Sequence, residues 1–137
     1  MMGLSERLLV SYRLHGIRET FDYHSHEEYE IYFFHGGSCR YLIHNQIYDM
    51  EPGDIILMDG MTLHKPNVCP KSKYIRSFVH FSPHWIKGVL KELDSLYLLA
   101  TFKNLKNCLI RTGENQESKE LEKVIRRFAE VKQSSEV

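Results

Sequence analysis

Between residues 30 and 81 the chain alternates short aromatic and β-branched runs with turn signals, and no run is long enough for an ordinary helix. That spacing predicts an antiparallel sandwich or barrel. Glu51-Pro52-Gly53-Asp54 is the strongest turn, because proline presets φ and glycine accepts the strained position. Strands are expected over residues 30–34, 38–44, 47–50, 55–58, 63–68 and 74–81. His35-Gly36-Gly37 and Asn45-Gln46 are expected to turn the chain between them, which leaves His35 and His44 exposed.

The pattern changes after residue 81. Ser82-Pro83 is a helix start, with serine as the cap and proline in the first turn. Trp85, Ile86, Val89, Leu90 and Leu93 follow at helical spacing. A last helix is expected over about residues 116–132, with an apolar stripe of Leu121, Val124, Ile125, Phe128 and Val131. The final residues, Gln133 to Val137, are polar and linker-like. The chain therefore divides into a mainly β barrel over residues 1–81 and a small helical subdomain over residues 82–137.

Length and charge narrow the function. A chain of 137 residues fits one domain. It carries 18 Lys+Arg against 18 Asp+Glu, so it lacks the basic excess by which a domain grips DNA on its own. No apolar run approaches the length of a membrane span, and the N-terminus does not read as a signal peptide. Cys39, Cys69 and Cys108 are odd in number and widely spaced, as reduced thiols of a cytoplasmic protein are. No nucleophile elbow, P-loop, dinucleotide fingerprint or zinc-finger spacing occurs, and no residue is assigned a catalytic role.

The chemistry-bearing stretch is His24-Ser25-His26-Glu27-Glu28-Tyr29-Glu30. Residues two apart on a strand share a face, so His24, His26 and Glu30 point the same way if the strand is continuous. His64 follows on a later strand. Three imidazoles and a carboxylate suit a divalent transition metal such as Zn, Ni, Mn or Fe. The same four groups also suit a polar pocket without metal, and the residues leave both open. In a chain with 8 His an HxH alone is a weak signal, and the carboxylate at a fixed offset makes it specific.

His24, His26, Glu30 and Gly37 resemble the first cupin motif, and Gly53 and His64 match the second in spacing. Asp59 stands where cupin enzymes usually have proline, and Met61 where they usually have glycine, which points away from the enzyme branch. The runs HSHEEYEIYFFHGG, MEPGDIILMDGMTLH and YIRSFVHFSPHW resemble the N-terminal sensor domain of AraC-type transcription regulators. The resemblance implies a cupin-type double-stranded β-helix, or jelly-roll barrel, followed by helices. It implies a small-molecule effector inside the barrel, such as a sugar, and a homodimer formed through the last helix. Leu121, Val124, Ile125 and Phe128 would be its interface.

The resemblance also implies a separate DNA-binding domain with two helix-turn-helix units, expected to be absent from this chain. Arg76, Phe78 and His80 share parity on the strand before the first helix, and by the resemblance that parity faces the interior. With Tyr32, His24, His26, Glu30 and His64 they make up the expected pocket, and His24, His26, Glu30 and His64 are its metal ligands if metal is bound. The rival from another class is a free-standing metal-dependent cupin enzyme, a dioxygenase or isomerase.

Overall fold

A computed structural model of the protein describes residues 8–16, 28–59, 64–104 and 109–135. Among them are eight strands: β1 (Leu8–His15), β2 (Tyr29–Gly37), β3 (Arg40–Ile43), β4 (Gln46–Asp49), β5 (Ile55–Met58), β6 (His64–Asn67), β7 (Tyr74–Phe81) and β8 (Leu109–Ile110). The helices are α1 (Pro83–Glu92), α2 (Ala100–Asn104) and α3 (Gln116–Ser135), with a 3-10 turn at Leu96–Leu99. Every strand pairing is antiparallel. One sheet runs β1-β7-β2-β5-β8 and the other β4-β3-β6, the two layers of a cupin-like jelly roll.

Side-chain alternation divides the large sheet into two faces. Tyr32, Phe34, Ile56, Met58 and Tyr74 point inward and pack with Cys39, Tyr41, Ile43 and Met50. Tyr29, Phe33, Ile55, Val79 and Phe81 point outward and are covered by Leu99 and Ile125 of the helical segment. The two faces explain why β7 is buried along nearly its whole length, although Arg76 and Ser77 interrupt its apolar run. α1 starts where the sequence places it, with the Ser82 hydroxyl accepting from the Trp85 amide at 3.4 Å.

Several expectations shift. β2 continues through Gly37, so His35-Gly36-Gly37 is not a turn; the chain reverses at Ser38-Cys39. The next turn is His44-Asn45, with His44 at φ +54, and Gln46 already belongs to β4. The last helix extends to Ser135 rather than Lys132. The change of secondary structure at residue 81 is not a structural divide. β8, from the expected helical half, pairs with β5, and Ile125 is buried on the large sheet.

The turn at Glu51–Asp54 is also braced from outside. Asp54 is fully buried and accepts from Arg111 Nε at 3.1 Å and Nη2 at 3.0 Å, and from the Glu51 amide at 2.8 Å. Thr112 donates its hydroxyl to the Gly53 carbonyl at 2.7 Å. Gly53 sits at φ +90, where an added Cβ would lie 2.7 Å from the Glu114 amide.

Candidate functional site

The inward parity of β2 and β7 brings Glu30 opposite His80, and Tyr32 opposite Phe78. His80 lies between two carboxylates. Its Nε2 is 3.1 Å from Glu30 Oε1 and its Nδ1 is 3.4 Å from Glu28 Oε2. The Phe78 ring stands beside the imidazole, with centroids 5.1 Å apart.

Arg76 is only 2% exposed although it is charged. Its guanidinium lies 4.3 Å from the Tyr74 ring centroid, a cation–π contact. One guanidinium nitrogen donates to the Leu14 carbonyl at 3.3 Å and also to the Gly16 carbonyl. The Tyr32 and Tyr74 hydroxyls share a hydrogen bond of 2.7 Å. Burial pushes both phenols above their ordinary range, so they stay protonated and keep donor capacity. Burial also pushes the Cys39 thiol up to about 11, which removes it as a nucleophile near neutral pH.

Of the expected pocket residues, Glu30, Tyr32, Arg76, Phe78 and His80 share this inward parity. His24 and His26 lie outside the described residues. His64 is placed on β6, opposite Ile43, by its backbone alone. The expected metal set is thus described only at Glu30, whose carboxylate faces His80. Among the described residues no three His, Cys, Asp or Glu side chains gather as metal ligands would. Glu28, missed as a partner of His80, was legible as another inward carboxylate of the HEEYE run.

A second polar cluster lies on the outer face, under α3. Glu122 Oε1 accepts from Arg13 Nε at 2.9 Å, Arg13 Nη2 at 2.6 Å and the Tyr12 hydroxyl at 3.1 Å. His35 stands 3.7 Å from the same oxygen, and its Nε2 is 2.6 Å from the Ser77 hydroxyl. Its side chain is 4% exposed, which corrects the expectation of a solvated turn histidine. Beside this cluster, grooves of about 600 and 390 Å³ run between β1 and α3.

Burial, reinforced by the Arg13 guanidinium, pushes the His35 imidazole down from 6.5 to about 4; Glu122 pulls the other way. The unfolded chain therefore takes up this proton near 6.5 and the folded chain only near 4. The resulting stability is complete above 6.5 and is lost as pH falls through that window. Thermal unfolding between pH 7 and 4 is expected to show a falling Tm, with a shallower fall in His35→Gln. Equal slopes for the two proteins would contradict the assignment.

The stripe of α3 divides. Ile125 is 1% exposed and, with Leu121, packs on the chain's own sheet. Ile125 is therefore taken up within the subunit and is not available to a dimer interface, whereas Leu121 is only partly covered there. Burying an isoleucine of this kind stabilises a fold by ~1.5–3 kcal/mol. Val124, Phe128 and Val131 stay exposed, with Phe128 at 42%. No helix among the described residues is long and apolar enough to cross a membrane.

No curated protein matches the sequence closely enough to count as a relative. A family profile does match: that of the AraC-like ligand binding domain, over residues 9–129. The match takes in the strands from β1 through β8 and most of α3, the elements that build the barrel and cover its large sheet. The chain belongs to the AraC-like ligand binding domain family.

Proposed function

We propose that this domain senses a small polar effector inside the barrel and serves a cytoplasmic transcription regulator whose DNA contacts are made by another part of the protein. The observation that carries the reading is the inward row on β7, where Arg76 and His80 share one face in a domain of this family. A buried guanidinium offers a rigid fork to oxygen ligands, and the Glu30 carboxylate accepts from hydroxyls. Tyrosine hydroxyls add groups that both donate and accept. That set suits a polyhydroxylated molecule such as a monosaccharide or a sugar acid. Glu30, Arg76 and His80 supply this polar set without a metal at His24, His26 or His64.

The test is a thermal-shift screen of monosaccharides, sugar acids and polyols. A compound that binds the folded state raises the Tm with its concentration. The expected result is stabilisation with the compound recovered unchanged. Consumption of the compound would favour the enzyme reading instead.

The same proposal includes a homodimer through the exposed part of α3. Val124, Phe128 and Val131 lie at helical spacing on one face, where a second copy can present the same stripe in a two-fold contact. Phe128→Asp is expected to convert the dimer to monomer in sedimentation, with the fold retained. A dimer that survives this change would show that α3 is not the interface.

A further inference from the structure

The strand β1 is held from both sides within five residues. From the interior, Arg76 donates to the carbonyls of Leu14 and Gly16. From the outer face, Glu122 of α3 accepts from Tyr12 and Arg13. At the outer grip the β1–β7 register shifts, between Ser11 and Leu14. Arg13 takes φ +50 there, a conformation that side chains other than those of Gly, Asn and Asp seldom adopt. Its amide leaves the ladder and donates to the Ser77 hydroxyl at 2.9 Å. This bulge lets one short segment present carbonyls to the interior and side chains to α3.

We propose that β1 is a relay between the barrel interior and α3, with Arg76 as its input and the Arg13–Glu122 ion pair as its output. The proposal rests on the reading that the effector occupies the barrel. An effector that draws the guanidinium toward its own oxygens must compete with the Leu14 and Gly16 carbonyls. Releasing them loosens the end of β1 and, one residue away, the arm that grips α3. Because coupling between two sites is reciprocal, loosening the α3 grip must also loosen the Leu14–Gly16 end. Arg13 and Glu122 are positioning residues in this scheme and touch no effector.

Residue-resolved amide hydrogen exchange on the full chain tests the relay without an effector. Arg76→Met removes the input. It is expected to speed exchange across residues 119–126 by about fivefold or more, the lower end of ordinary couplings. Glu122→Gln removes the output and nearly keeps the side-chain shape. It is expected to speed exchange at the Gly16 amide, which donates to the Tyr74 carbonyl at 2.9 Å. Glu120→Gln, on the same helix and facing Lys123, is expected to leave Gly16 unchanged.

If Arg76→Met fails to fold, the Glu122→Gln result decides. Unchanged Gly16 exchange in Glu122→Gln, or loosening of Gly16 without α3 in Arg76→Met, overturns the relay. Because the exchange is measured without effector, its failure is distinct from failure of the sensing reading, which the thermal-shift screen decides.

Discussion

Arg76→Met should weaken effector binding by about 10- to 100-fold, the loss that accompanies removal of a hydrogen bond from a charged donor. Methionine keeps much of the apolar stem, so packing against Tyr74 persists while the guanidinium is gone. Arg76→Lys should recover little, because an ammonium lacks the planar fork. Arg40→Met is the matched control. Arg40 sits exposed on β3, bound to Asp49 at 2.9 Å, and should leave the affinity unchanged. Titration calorimetry with a compound found by thermal shift measures all three. Equal affinity for Arg76→Met and the parent chain would remove Arg76 from the site.

Gly37→Ala should be the most damaging single methyl in the described chain. Gly37 ends β2 at φ +103, and a Cβ there would overlap the Lys73 carbonyl oxygen, which is backbone and has little room to yield. The strained backbone and the overlap together should cost about 3–5 kcal/mol. That is a large share of the ~5–15 kcal/mol by which domains of this kind are stable. Its neighbour supplies the contrast. Gly36 has no atom within 4 Å of an added Cβ, so Gly36→Ala should change stability by less than about 1 kcal/mol. Urea unfolding of the pair reads the difference. Similar midpoints would mean that the close approach of Gly37 to Lys73 is not maintained in solution.

The barrel was legible because its turns are local. Pro52 and Gly53 fix a bend within four residues, and the apolar runs beside it have strand length. β5 and β7 fall at the expected residues for that reason. Local patterns failed where a distant partner decides the outcome. His35-Gly36-Gly37 has turn composition, yet pairing of Gly36 with Ile75 and Gly37 with Tyr74 keeps it in β2. Leu109–Ile110 is too short to signal a strand, and only the β5 edge makes it one.

Parity sufficed to place Glu30, Arg76 and His80 on one inward face, since one alternation rule covers all three. It did not suffice for Arg13 and Glu122, which are more than a hundred residues apart and meet only because α3 folds back across β1. The apolar stripe of α3 likewise gave its face but not its partner. Ile125 lies on the chain's own sheet, and Phe128 faces outward.

A crystal structure with a compound identified by the thermal-shift screen decides whether the effector lies in the barrel. Density is expected inside it, within hydrogen-bond distance of Glu30, His80 or Arg76. Density in the grooves between β1 and α3, beside Tyr12 and Arg126, with the barrel side chains undisturbed, would contradict it.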